Sequence, residues 1–104
     1  MSLVIAYAYR SAKSLPEQLV ALRAGTDWQW QERDSALWGD YASAHASVEE
    51  LMVKLFADDD GYRVELRSLT PQTDALWEER TRSVLRQLAP LVRAEEIRRA
   101  SPNP

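Results

Sequence analysis

The sequence predicts a single α+β domain, an antiparallel sheet backed by helices, and three observations carry that expectation. An apolar run near the N-terminus reads as a buried strand, alternating segments further on read as half-exposed strands, and capped segments with apolar stripes read as helices between them. The chain has 104 residues, too few to divide into two units that each bury an adequate core.

Taken in order, Leu3 to Tyr9 is apolar on both alternating faces, as a central strand requires. Ser14-Leu15-Pro16-Glu17 is a capping box with proline in the first turn, and Leu15, Leu19 and Leu22 recur at helical spacing until Gly25. A helix is expected from Leu15 to Ala24. Asp27 to Asp34 sets Trp28, Trp30 and Glu32 against Gln29, Gln31 and Arg33, the pattern of a strand with one wet face near a sheet edge. Ser35 to Gly39 turns the chain, and Tyr41 to Ala46 returns beside that strand.

The next segment supports two readings. Leu51 to Ala57 and Tyr62 to Ser68 could form a hairpin around Asp58 to Gly61, with Lys54 facing Glu65 and Leu55 facing Val64. Against this, Val48, Leu51, Met52, Leu55 and Phe56 form a helical stripe behind a second capping box, Ser47-Val48-Glu49-Glu50. Two helix signals outweigh one turn signal, so the expectation is a helix from Val48 to Ala57, an Asp-Gly turn and a strand from Tyr62 to Ser68.

After Thr70-Pro71, helical periodicity resumes at Asp74 and runs through Trp77, Thr81, Val84, Leu85 and Leu88. Pro90 should kink or end that helix, with Leu91, Val92 and Ile97 adding a short further helix. The resulting order is βαββαβ plus a C-terminal helix, a ferredoxin-like sheet backed by two helices, with the first and third strands central and the second and fourth at the edges. Residues 1–100 form the domain and 101–104 a flexible polar tail.

Composition narrows the function. No cysteine is present, which excludes disulfides, thiolate nucleophiles and Cys-based metal sites and fits a reducing cytoplasm. The apolar N-terminal run is too short to span a bilayer, so no membrane role is expected. Thirteen Lys and Arg against 16 Asp and Glu, a formal charge of -3, argue against nucleic acid as partner. The acidic runs at Glu49-Glu50 and Asp58 to Asp60 would suit a basic partner, although solvated faces account for most such runs.

No residue pattern carries a recognised catalytic or metal chemistry, and no cofactor is expected. His45 is the only histidine, so any His-centred site must use it, and the enzyme reading pairs it with Asp40 or Glu49. Asp58-Asp59-Asp60-Gly61 lacks the spaced acids and terminal Glu of a calcium loop, so it reads as a turn. Four Trp and four Tyr are the distinguishing feature. Most should fill the core, but Trp38, Asp40 and Tyr41 surround Gly39 at a turn and are the candidate protein-binding residues.

The reading that follows is a small cytoplasmic protein-binding module, an inhibitor or immunity-type protein, similar to bacterial immunity proteins in size and chemical character. A homo-oligomer is also compatible with the sequence. The alternatives are a small-ligand-binding or regulatory domain and, below it, an enzyme using His45.

Overall fold

The apolar N-terminal run forms β1 (Val4–Arg10), inside a sheet, and a capped helix α1 (Leu15–Gly25) follows it. Four strands then run in succession, β2 (Gln29–Ser35), β3 (Gly39–Ala46), β4 (Leu51–Asp58) and β5 (Gly61–Ser68), before α2 (Asp74–Val92) and β6 (Glu95–Ala100). The computed structural model describes residues 3–35, 39–58 and 61–101. Among these residues, the strands build one six-stranded sheet of order β2-β3-β4-β5-β1-β6, with every neighbouring pair antiparallel. It follows that β5 and β6 run parallel on either side of β1, joined by α2.

Both helices lie on one face of the sheet. That face is built from the alternate residues whose cross-strand pairs are Ile5↔Leu66, Tyr7↔Val64, Leu55↔Val64, Val53↔Leu66, Ala44↔Val53 and Trp30↔Ala44. Leu19 and Leu22 from α1 and Val84, Leu88 and Val92 from α2 close over it, and all five are buried. Each fully buried aliphatic side chain contributes about 1.5–3 kcal/mol relative to an exposed one. The small residues of β3, Ala42, Ala44 and Ala46, share this layer with Trp28 and Trp30, whose rings lie 6.0 Å apart.

The two helices meet closely at Gly25, where an added Cβ would stand only 2.6 Å from Leu91 Cδ2. A hydroxyl is also buried in this layer. Tyr9 is nearly inaccessible and its hydroxyl donates to Gln18 Oε1 at 2.7 Å, while Gln18 Nε2 donates to the Lys13 carbonyl at 2.9 Å. Burial, reinforced by Tyr62, pushes the Tyr9 hydroxyl far above the ordinary tyrosine pKa.

Three expectations are corrected. The segment Val48 to Ala57 is not a helix: Ser47 to Glu50 form a turn and Leu51–Asp58 is a strand. Leu51, Val53 and Leu55 alternate onto the helix-covered face and are fully buried, whereas Val48, counted in the helical stripe, is 86% exposed. Glu50 takes a left-handed φ of 57°, ending any helical path, and its carboxylate meets Thr70 Oγ1 and Arg80. The hairpin register set aside at the sequence level is the one that forms, with Lys54 opposite Glu65 and Leu55 opposite Val64.

The strand order therefore departs from the ferredoxin-like plan. β2 lies at an edge as expected, but β5, also expected there, sits between β4 and β1. Its alternating Arg63, Glu65 and Arg67 reflect the helix-free face of the sheet, not an edge position.

At the C-terminus, α2 passes through Pro90 and ends at Arg93 in a left-handed cap, and the chain returns as a strand instead of a further helix. Pro90 is exposed in the last turn of α2, where few helical bonds remain to be disturbed, and Arg93 and Ala94 N–H groups satisfy the Pro90 and Ala89 carbonyls. β6 carries a bulge: Arg10 pairs with Glu95 and Ala8 with Arg98, so Glu96 and Ile97 together oppose Tyr9, and Glu96 has a φ of 53°.

Candidate functional site

The N-terminal turn of α1 stands over the end of the sheet that carries the β2–β3 and β4–β5 connections, and a cleft opens beneath it. The turn is held by its capping box: Ser14 N–H donates to Glu17 Oε1 at 2.9 Å and Glu17 N–H donates to Ser14 Oγ at 3.3 Å. The Ser14 backbone and side-chain bonds hold the Glu17 carboxyl below its usual pKa. Pro16 lies in the first turn, with its fixed φ suited to that position.

The cleft has a volume of about 640 Å³, and its apolar walls are Leu15, Pro16, Leu19 and Ala57. Glu32 and Asp40 supply its charge. The register pairs Glu32 with Ala42, so Asp40, two residues before Ala42, is the diagonal neighbour of Glu32 on the same face. Glu32 lies 3.9 Å from Arg23 in an exposed pair, a contact of little energy.

Arg33 and Tyr41 also border the cleft, but their side-chain partners lie on the open face. Arg33 donates from Nε to Ser43 Oγ at 3.0 Å and from Nη2 to Gln31 Oε1 at 2.7 Å, and the Tyr41 ring lies 5.4 Å from that of Phe56. The Arg33 guanidinium is thus engaged by partners on the open face, and two carboxylates stand against it in the lining of the cleft.

Of the three expected binding residues, Asp40 is exposed in the cleft and Tyr41 is half-buried beside it, while Trp38 lies outside the described residues. His45 is exposed on the open face, between Gln29 and Met52, and Asp40 is on the opposite face. Glu49 is buried on the helix side, where its Oε1 accepts from Gln87 Nε2 at 3.0 Å. The acid–base pairings available to His45 in the sequence are not assembled.

Asp58 pairs with Arg63 at 3.2 Å, whereas Asp59 and Asp60 lie outside the described residues. Among the described residues, no group of three or more His, Asp or Glu side chains is placed to hold a metal ion.

Sequence reasoning missed Glu32, Leu15 and Leu19 as partners of Asp40. The legible signal was parity: Glu32 continues the alternation of buried Trp28 and Trp30, placing a charge on the helix-side face where an apolar residue would be routine. Comparison with protein-family models, curated proteins and solved structures finds no match for the chain.

Proposed function

We propose that the chain is a protein-binding module that receives an extended, basic segment of its partner along β2, with a Lys or Arg side chain seated against Glu32 and Asp40. The observation that carries this reading is an acidic cleft opening beside a strand edge that has no strand partner among the described residues. β2 pairs with β3 without a register break from Gln29 to Ser35, so its outer edge is regular enough to accept another strand. A strand added there places a side chain across from Glu32, where an opposite charge is favourable. The apolar walls from α1 accept the methylene stem of that side chain.

The test is selection from a displayed library of extended peptides, followed by titration of the selected peptides against the parent protein and the Glu32→Gln/Asp40→Asn variant. The proposal expects Lys or Arg at one fixed position, amide shifts along Gln29 to Arg33, and affinity at least about tenfold weaker in the variant. Raising the salt should erode the parent's affinity towards that of the variant, because the cleft is open to solvent. Unchanged affinity in a folded variant would refute it.

A second reading, a small-ligand or regulatory site, draws on the cleft volume, which falls within the roughly 300–1,000 Å³ typical of ligand pockets. It predicts stabilisation by a cationic small molecule without shifts along the outer edge of β2.

A further inference from the structure

A second concavity lies far from the acidic cleft in the fold, between α2 and the β1–β6 side of the sheet. Its volume is about 340 Å³, with Ile5 and Leu85 in its apolar floor and Tyr7 and Trp77 as aromatic walls. Both aromatics are only half-buried, so ring surface remains available inside the groove. Arg82 from α2 and Arg99 from β6 border it. Across the β1–β6 pair, Arg99 is the register partner of Tyr7, and its guanidinium carbon sits 5.8 Å from the Tyr7 ring centroid.

The charge at this mouth is unusual for an acidic chain. Among the described residues, neither Arg82 nor Arg99 forms an ion pair, and Glu78 is the one carboxylate lining the groove. The groove therefore carries two guanidinium groups against one carboxylate. Thr81, which also lines it, already donates its hydroxyl to the Glu78 carbonyl at 3.1 Å, leaving its oxygen without a proton to offer a ligand.

From this combination we infer that the groove binds a small anionic amphiphile, a flat apolar body carrying one carboxylate. The aromatic walls and aliphatic floor take the body, and the two arginines take the carboxylate through charge-assisted hydrogen bonds. The volume, near the lower end for ligand pockets, limits the body to about the size of a fused two-ring system. None of the residues involved belongs to the Glu32–Asp40 cleft, so this inference stands apart from the proposed peptide interaction.

The experiment uses 2-naphthoate as probe and neutral 2-naphthamide as its control, titrated into the full chain by calorimetry and followed by side-chain NMR shifts. Saturable naphthoate binding is expected, with shifts at the Trp77 indole and Tyr7 ring and the amide at least about tenfold weaker. Arg82→Gln/Arg99→Gln should remove most of the naphthoate preference while leaving amide binding nearly unchanged.

Both arginines are exposed, so the variant should keep the parent's unfolding midpoint, and the single Arg82→Gln carries the same test should the double variant lose stability. Equal binding of acid and amide, unchanged naphthoate affinity in the folded variant, shifts confined to the Glu32–Asp40 cleft, or no saturation at millimolar probe would each overturn the inference.

Discussion

Replacing Tyr9 by Phe removes one hydroxyl from a site that has almost no access to water. In the parent, that hydroxyl bonds to Gln18 Oε1 at 2.7 Å, and Gln18 is itself fully buried. Tyr9→Phe leaves this acceptor without a partner, which should cost about 1–3 kcal/mol, the range for an orphaned buried polar group. The same pair makes a pH prediction. Burial raises the folded-state pKa of Tyr9 above its unfolded value near 10, so the neutral phenol favours the folded state.

The stabilisation is complete below the unfolded pKa and falls as pH rises from about 10 towards the folded value, by roughly 1.4 kcal/mol per pH unit. Urea denaturation of parent and variant at pH 8, 10 and 11 measures both effects, and the difference between the two proteins cancels the other titrating tyrosines and lysines. The destabilisation by Tyr9→Phe should therefore shrink above pH 10, because the variant has no phenol to ionise. A destabilisation below about 0.3 kcal/mol at pH 8, or parallel pH profiles through pH 11, would show that the buried pair does not hold this corner of the fold.

The remaining stability predictions concern β4 and the turn that leaves it. Val53→Asp should unfold the domain, since the side chain is fully buried in a central strand, whereas Val48→Asp should change stability by no more than about 0.5 kcal/mol; a denaturation series that ranks them otherwise would contradict the strand assignment. Gly61→Ala should destabilise by about 1–3 kcal/mol, because φ is 154° and the new Cβ would stand 2.5 Å from the Tyr9 carbonyl oxygen. Unaltered midpoints in that variant would mean that the β4–β5 turn yields without cost.

Local signals located most elements to within a few residues. The Ser14–Glu17 box sets the start of α1, and the alternation around Trp28 and Trp30 marks β2. The error at Leu51–Asp58 has a physical cause. A strand buried on one face and partly covered on the other presents apolar residues at Leu51, Met52, Val53, Leu55 and Phe56, and a set that dense contains a helical stripe by chance.

What selects the strand is cross-strand pairing: Val53 is paired on one side with Ala44 and on the other with Leu66, which a helical segment could not be. β6 failed for the opposite reason. Glu95 to Arg99 are all exposed, so no periodicity marks them, and pairing with β1 alone makes them a strand. For the candidate site, Asp40 and Tyr41 were legible as residues displayed near a turn, but the cleft depends on α1 folding back over β2 and β3. The parity of Glu32 was legible, but Leu15 and Leu19 lie on a separate helix whose placement over the β2–β3 hairpin no local signal announces.

The two margins of the described sheet differ in a way that bears on the proposed strand addition. β2 keeps an unbroken register with β3, while β6 is interrupted by the Glu96–Ile97 bulge and its left-handed residue. A protein with two straight margins can recruit a copy at each and polymerise without end, as fibrils do. If partners add at the β2 edge as proposed, the irregular β6 edge would give strand addition a valency of one, because the first partner to dock would consume the regular margin. Straightening β6, for instance by deleting Glu96, would supply the second valency and convert a terminating unit into a propagating one.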